Sequence, residues 1–248
     1  GGKEAIVFGP QNSEFLGTSL DRLSGFWELG LRIMQLTYQR QNYVATGSGE
    51  SIDSGLTMFG REVVKEMDEL GIVVDLSHCG HETIFQAIER SSNPVIFSHA
   101  HALAVSRPNP KAKTDDHLRA LADKGGVIGV TALSTFNEDP ERLGVRPGLP
   151  DFIKHVTYIA ELIGIDHVRI GLDFDETNTP ENYYGDDKRF PELVSGFSWE
   201  EKRIHDLTDA SELLNVTRSL VVAGFTDDEI EKILGLNFLR VFGDVWRS

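Results

Sequence analysis

Short runs of consecutive apolar residues, rich in Val and Ile, recur along the chain. Runs without polar alternation are typical of strands that are buried on both faces of a parallel sheet. They predict six strands, over Ala5–Phe8, Ile33–Leu36, Ile72–Leu76, Pro94–Phe97, Val127–Thr131 and Val168–Leu172.

Stretches with apolar residues at helical spacing lie between these runs. One of them places Val63, Val64 and Met67 on a single face and ends at Gly71, the residue type that most often terminates a helix. The pattern predicts helices over Leu20–Leu29, Phe59–Leu70, Thr83–Glu89, Asp116–Asp123, Phe152–Ile163 and Ala210–Ala223, and a last helix beginning at the capping box of Thr226. Strands that alternate with helices across short connections predict an α/β fold with a parallel sheet.

Two stretches interrupt this alternation. Gln39–Thr57 is polar and rich in Gly and Ser, whereas Thr177–Ile204 contains two prolines, adjacent tyrosines and many charges. Both are predicted to be long loops. Loops of this length in a compact α/β domain are usually functional or disordered.

Ligands of parallel α/β sheets and barrels bind beyond the carboxyl ends of the strands. The residues that follow the predicted strands are therefore the candidates for chemistry. They are Gln11, Tyr38, His78, His99, His101, Thr131, Asp173 and Asp175. Three of the six strands end in His or Asp, which are residue types that bind divalent metals.

His78 and His99 follow consecutive strands. Two neutral imidazoles at adjacent strand ends can bind one Zn²⁺, with a carboxylate or water completing its coordination. The alternative is that each histidine ends its strand by hydrogen bonding to the backbone. The pairing, with an aspartate on a later strand, favours the metal site. We expect His101, two residues beyond His99, to lie behind the ligands or to face the substrate.

Asp173 and Asp175 follow the last predicted strand. An aspartate here can ligate metal or accept the proton of an attacking water, and its structural alternative is a turn or a helix cap. Asp173 is the favoured catalytic residue because it lies nearer the strand. Arg107 can bind a substrate carboxylate with two parallel hydrogen bonds, and its alternative is a surface arginine in a Pro-containing loop.

Composition narrows the possible partners. The formal net charge of −15 disfavours nucleic acid and anionic membranes, and the single cysteine excludes an intrachain disulfide. No Gly-rich nucleotide-binding motif follows a strand. Neither a membrane-spanning apolar run nor a signal-peptide pattern is present, so we expect a cytoplasmic protein without membrane insertion.

Several segments resemble the renal (membrane) dipeptidase family of zinc peptidases. They are the helix from Phe59, Val73-Val-Asp-Leu-Ser-His78, Pro94-Val-Ile-Phe-Ser-His99, Gly171-Leu-Asp-Phe-Asp175 and the segment from Asn237. They occur in the family's order and extend almost to the end of the chain. The resemblance implies an amidohydrolase-like TIM barrel that occupies residues 1–248 as a single domain.

The resemblance also implies roles for individual residues. His78 and His99 match the two histidines that hold the second zinc of the family's binuclear site. Asp173 matches the catalytic aspartate, and Arg107 loosely matches the arginine that binds the dipeptide's carboxylate. The implied function is a metal-dependent hydrolase that cleaves dipeptides or related small amides through a zinc-activated water.

The chain departs from the family pattern at three points. Gln11 stands where the family has a zinc-bridging glutamate, Tyr38 stands where it has a substrate-facing histidine, and a His-x-Asp motif on the first strand is not found. Gln11 then lies beside the ligands without bridging charge, Tyr38 contacts the substrate, and one tightly bound zinc is favoured over two.

Six predicted strands also fall short of the eight in a (β/α)₈ barrel, as if the first two strand–helix units were lacking from the sequence shown. Sheet edges left open in this way favour a homo-oligomer, of which a dimer is the simplest form. Two other functions stay open: a catalytically inactive relative that binds a small amide or peptide, and a metal-independent barrel isomerase or lyase.

Overall fold

A computed structural model of the chain describes residues 6–175, 179–189 and 196–246. The chain divides into two compact units. Unit 1 is the described part of residues 1–96, 124–126 and 240–248, and unit 2 is the described part of residues 97–123 and 127–239.

The described strands form one parallel sheet in the order β1-β2-β3-β4-β5. In unit 1, Met34 pairs with Val74 and Asp75 pairs with Ile96, whereas in unit 2 Gly129 pairs with Arg169. Most strand side chains are buried, as expected for a sheet covered on both faces. The bounds are β1 Ile33–Gln35, β2 Val73–Asp75, β3 Ile96–Ala100, β4 Val127–Val130 and β5 Val168–Ile170.

Helices occupy most of the connections between strands. The described α-helices are α1 Asp21–Glu28, α2 Met58–Leu70, α3 His81–Arg90, α4 Asp115–Asp123, α5 Ser134–Asn137, α6 Leu149–Ile163, α7 Pro180–Arg189, α8 Leu213–Val222, α9 Asp227–Glu231 and α10 Asn237–Val245, with a π-helical turn at Lys232–Leu236. Among the described residues, no helix is long and apolar enough to cross a membrane.

In unit 1, α2 is held at both of its ends. The hydroxyl of Thr57 accepts a hydrogen bond from the amide of Gly60 over 2.9 Å, and Gly71 ends the helix with a φ of 74°. Asp68 on α2 also accepts hydrogen bonds from the Ser91 hydroxyl (2.8 Å) and the Ser92 amide (2.6 Å) that follow α3. These contacts fix two neighbouring helices of unit 1 to each other.

In unit 2, the core is formed by apolar side chains of the strands and of α4, α6 and α8. Helix α6 begins where the carboxylate of Asp151 accepts a hydrogen bond from the Gly148 amide over 2.9 Å. Thr226 and Glu229 form the predicted capping box, with a 2.8 Å bond from the Thr226 amide to the Glu229 carboxylate. The predicted helices are confirmed, with ends displaced by a few residues.

Three sequence-based predictions are corrected. The first predicted strand, Ala5–Phe8, is reduced in its described part to one isolated bridge between Phe8 and Leu31, so the described sheet has five strands. Strand β3 extends to Ala100, which places His99 inside the strand instead of beyond its end. The loop predicted over Thr177–Ile204 contains helix α7, and parts of it lie outside the described residues.

Candidate functional site

His78 lies in a tight turn that follows β2 in unit 1. The carboxylate of Asp75, the last residue of β2, accepts hydrogen bonds from the amide (3.0 Å) and the hydroxyl (2.6 Å) of Ser77. This pattern is a standard Asx turn, in which an aspartate bonds to the backbone two residues ahead. His78 itself is buried. The sequence Asp-Leu-Ser-His therefore folds locally so that the imidazole is fixed directly beyond the strand.

The imidazole of His78 has two neighbours from the segment that follows β1. Its Nδ1 lies 2.6 Å from Oε1 of Gln39. The ring of Tyr38 stacks against it, with ring centres 4.3 Å apart and an interplanar angle of 27°. Tyr38, predicted to contact substrate, thus covers one face of a predicted metal ligand. Gln39 was not among the predicted site residues.

Gln11, predicted to lie beside the metal ligands, is exposed in unit 1. Its backbone oxygen accepts a 2.5 Å hydrogen bond from the side-chain amide of Gln35, the last residue of β1. The same amide also donates to the carbonyl oxygen of Thr37 over 2.7 Å. The buried side chain of Gln35 therefore links the backbone at Gln11 to the carboxyl end of β1.

In unit 2, His99 and Asp173 face each other. Nε2 of His99 lies 4.0 Å from Oδ2 of Asp173, and Nδ1 of His99 lies 2.8 Å from the hydroxyl of Ser98. A separation of 4.0 Å is too long for a direct hydrogen bond between the two side chains. The structure thus brings together two of the residues that the sequence singled out.

A close approach of three strands sets this separation. A Cβ atom on Gly129 or on Gly171 would lie 2.1 Å from the carbonyl oxygen of Ser98, a distance that no side chain tolerates. Glycine at both positions therefore allows β3, β4 and the end of β5 to pack closely just beneath His99. Asp173 follows Gly171 by two residues and has a φ of 57°, a left-handed conformation that Asp adopts more readily than most residues.

Arg203 supports the segment that carries Asp173. Its Nη1 donates to the carbonyl oxygen of Leu172 over 3.1 Å, and its guanidinium lies 4.9 Å from the centre of the Phe174 ring. Arg203 is only 5% exposed. The residues on either side of Asp173 are thus held by a single buried arginine, which the sequence had placed in a loop.

His101 lies beyond β3 in a fully buried environment. Its ring stacks on Phe136, with centres 4.7 Å apart, and its Nε2 accepts a 2.7 Å hydrogen bond from the side-chain amide of Asn109. Burial first, and then the charges of His155, Lys111 and Lys113, lower the pKa of His101 well below its usual value. His101 is therefore neutral near pH 7.

His155 on α6 is buried beside His101, with ring centres 6.1 Å apart. Its Nδ1 accepts a hydrogen bond from the Ala102 amide over 3.2 Å. Burial, followed by the charge of Lys154, lowers the pKa of His155 to about 3. Two adjacent histidines of unit 2 are therefore uncharged core residues at neutral pH.

Arg107 already has a carboxylate partner within unit 2. Its Nη1 lies 3.3 Å from Oε2 of Glu138, whose side chain is 2% exposed while that of Arg107 is 43% exposed. The Arg107 amide also donates to the Glu138 carbonyl oxygen over 2.9 Å. A substrate carboxylate at Arg107 would have to share the guanidinium with Glu138.

Lys111, in the same loop as Arg107, was not singled out from the sequence. It is 1% exposed, and its ammonium lies 4.7 Å from the centre of the Phe136 ring on which His101 stacks. A lysine in a Pro-rich polar loop gives no sequence signal of burial, because that burial depends on α5 packing against the loop. Asp175, the other predicted residue of this region, is exposed.

The model of the membrane dipeptidase family (peptidase family M19) matches residues 1–208. Dipeptidase tcpJ of Claviceps purpurea (strain 20.1) is 32% identical over 247 residues, which are 98% of this chain and 52% of that protein. Uncharacterized dipeptidase C965.12 of Schizosaccharomyces pombe (strain 972) is 32% identical over 245 residues, which are 97% of this chain and 53% of that protein. The chain spans about half the length of these curated relatives.

A solved structure is similar to the whole described fold. The crystal structure of an amidohydrolase from Pseudomonas aeruginosa has a TM-score of 0.88 at 31% identity, and the match covers 97% of this chain and 73% of that chain. The likeness confirms the predicted α/β fold of the amidohydrolase-like TIM-barrel type.

Proposed function

The chain belongs to the membrane dipeptidase family, peptidase family M19, and we propose that it acts as a zinc-dependent hydrolase of dipeptides or related small amides. Peptidase family M19 is a family of metallopeptidases, so a metal cofactor is implied. The dipeptide substrate and the choice of zinc are supported by the relatives that bear the name dipeptidase and by the imidazole and carboxylate groups at the strand ends.

In unit 2, the described residues bring together an imidazole (His99) and a carboxylate (Asp173), which are ligand types that zinc accepts. No group of three or more His, Cys, Asp or Glu side chains converges within the part of the chain that the structure describes. In unit 2, Nε2 of His99 lies 4.0 Å from Oδ2 of Asp173, so a water held beside His99 would lie within reach of that carboxylate. We propose His99 as a zinc ligand in unit 2 and His78 as a zinc ligand in unit 1, with coordination positions left open to water and substrate.

The observation that carries this proposal is the pairing of His99 with Asp173. Zinc, when bound, supplies Lewis acidity that lowers the pKa of a bound water and polarises the scissile carbonyl. The carboxylate of Asp173 accepts the proton of the attacking water and delivers it to the leaving amine nitrogen. The left-handed backbone at Asp173 and the hydrogen bond from Arg203 to Leu172 fix the segment that carries this carboxylate.

Substrate binding falls to the remaining site residues. Arg107 is proposed to bind the C-terminal carboxylate of the dipeptide, and Lys111 is a buried cation of the same loop. Tyr38 is proposed to contact substrate beside His78. Because His101 is neutral, it adds no further positive charge near Lys111, and its ring packs against Phe136 next to that lysine.

Assays that measure zinc binding and dipeptide hydrolysis separately test the proposal. The purified protein is assayed for amino-acid release from a panel of dipeptides, with and without a chelator and with zinc restored. Asp173→Asn should keep bound zinc and lose at least about 100-fold in kcat, because general base catalysis contributes roughly 10²–10⁴-fold. Hydrolysis that survives both chelation and Asp173→Asn would refute the proposal.

Two observations favour a second function. The Arg107–Glu138 ion pair, and Gln11 at the position where the family resemblance implies a bridging glutamate, both suit a protein that binds a small peptide or amide without cleaving it. Tight binding of a dipeptide without product release would favour that function. Chelator-resistant activity on a different substrate would instead favour a metal-independent isomerase or lyase that uses His99 and Asp173 as acid and base.

A further inference from the structure

Gln39 makes a specific contact with His78 inside unit 1. Its Oε1 lies 2.6 Å from Nδ1 of His78, and the same oxygen accepts a 2.9 Å hydrogen bond from the hydroxyl of Ser48. The Gln39 side chain is fully buried. Both of these contacts are made by the carbonyl oxygen of the side chain, which is therefore the functional end of the amide.

The backbone holds Gln39 in this position at a cost in strain. Its φ of 60° is left-handed, one of three such values among the described non-glycine residues, and another belongs to Asp173. The carbonyl oxygen of Gln39 accepts a 2.8 Å hydrogen bond from the Gly49 amide. A Cβ atom on Gly47 would lie 2.3 Å from the carbonyl carbon of Gln39, so only glycine lets this loop close over it. Strain of this kind is typical of residues that a site needs in one conformation.

The contact determines which nitrogen of His78 carries the proton. A carbonyl oxygen can only accept, so Nδ1 must be the protonated nitrogen and Nε2 must carry the lone pair. The 2.6 Å separation is slightly shorter than the usual range of about 2.7–3.2 Å for N–H···O bonds. Tyr38, stacked on the ring, restricts its rotation.

We propose that Gln39 is a positioning residue that fixes His78 as its Nδ1–H tautomer and so presents Nε2 to the metal ion. This inference rests on the proposed function, in which His78 is a zinc ligand. Histidines that bind metals commonly donate their second nitrogen to a carboxylate, a carbonyl or a water, which orients the ring. Here the acceptor is a neutral amide that is held in place by the loop of residues 47–49.

The tautomer of His78 can be measured without zinc. Long-range proton–nitrogen NMR correlations on the metal-stripped, ¹⁵N-histidine-labelled chain at mildly alkaline pH distinguish the two neutral tautomers, and His78→Asn assigns the signal. We expect the Nδ1–H tautomer in the parent protein and in Gln39→Glu, and conversion toward Nε2–H in Gln39→Leu. An Nε2–H tautomer in the parent, or an unchanged tautomer in Gln39→Leu, would overturn the proposal.

Zinc affinity, measured by competition with a chromophoric chelator, gives the second readout. Gln39→Leu should weaken zinc binding by about 10- to 100-fold, and Gln39→Glu should restore it. Gln86→Leu is the matched control, since Gln86 binds the Leu56 amide of the same loop (2.9 Å) without forming part of the site. If Gln86→Leu lost as much zinc affinity as Gln39→Leu, Gln39 would only stabilise the loop and the proposal would be wrong. Unchanged affinity in His78→Ala would instead reject His78 as a ligand, so the two failures are distinguishable.

Discussion

Arg203 donates a hydrogen bond to the carbonyl oxygen of Leu172 over 3.1 Å. Leu172 precedes the proposed base Asp173, and Phe174 on its other side lies under the same guanidinium. Arg203→Met should therefore lower kcat more than it lowers zinc content. It should also reduce the free energy of unfolding by about 1.5–3 kcal/mol, the usual value of a hydrogen bond made by a charged group.

Dipeptide kinetics, zinc analysis and urea unfolding of Arg203→Met test this expectation. Arg119→Met is the control, because Arg119 is half-exposed on α4 and pairs only with Asp115 and Asp116 in the contacts resolved for it. Its free energy of unfolding should change by less than about 0.5 kcal/mol. Full activity in Arg203→Met would show that Asp173 does not depend on this arginine.

Gly171→Ala should be strongly destabilising. The added Cβ would lie 2.1 Å from the Ser98 carbonyl oxygen, so β3 and β5 would have to separate. Overpacking of this kind costs about 1–3 kcal/mol or more, and the separation of His99 from Asp173 should increase with it. Urea unfolding and the dipeptide assay measure both effects.

Gly243→Ala is the matched control for that change. A Cβ on Gly243 meets nothing within 4 Å, and the residue lies inside helix α10. Alanine should stabilise the helix by up to about 1 kcal/mol. Equal free energies of unfolding for the two variants would show that the strands tolerate a wider spacing.

Acid should destabilise the protein through His155 and His101. Both have pKa values in the folded state below the ordinary 6.5, about 3 for His155, chiefly because they are buried. The unfolded chain therefore takes up protons first, so stability is fully present above about pH 6.5 and is lost as the pH falls from there toward 3. Each histidine contributes a slope of up to about 1.4 kcal/mol per pH unit.

Urea unfolding at a series of pH values checks this slope. His155→Phe should flatten the curve between pH 6.5 and 4, whereas replacement of exposed His81 should leave it unchanged. The same curve for His155→Phe and the parent protein would mean that His155 is not buried in its neutral form.

Substrates with and without a C-terminal carboxylate distinguish Arg107 from Lys111 as the residue that binds that carboxylate. If Arg107 binds the substrate carboxylate, Arg107→Ala should raise KM by about 10- to 100-fold for a dipeptide and barely alter it for the C-terminally amidated analogue. Glu138→Gln should lower KM, because it releases the guanidinium from its ion pair. The same pattern in Lys111→Met, with Arg107→Ala unaffected, would assign the carboxylate to Lys111.

The pattern of the sequence was sufficient for most of the architecture. Buried runs around Val73 and Val127 and helical periodicity over Met58–Leu70 are local signals, and the structure follows them. The segment before Phe8 has the same composition, but a strand also needs a partner along its length, and only one bridge forms in the described part. Helix α7 was missed because its sequence is polar and has few apolar residues at helical spacing.

The site could be predicted only in part. His99 and Asp173 could be singled out because residues with metal-binding side chains in or just after predicted strands are a local signal, and the structure places the two side chains 4.0 Å apart. The contacts of Gln39 with His78 and of Arg203 with Leu172 could not be predicted, because they join residues far apart in the sequence. The partner of Arg107 was missed for the same reason, since Glu138 lies 31 residues along the chain.

Zinc content after equilibrium dialysis shows whether His99 binds a zinc ion beside the proposed base Asp173. We expect stoichiometric zinc in the parent protein and in Asp173→Asn, and loss of that zinc in His99→Ala with the fold retained by circular dichroism. Equal zinc in the parent and in His99→Ala, or no zinc in either, would contradict it.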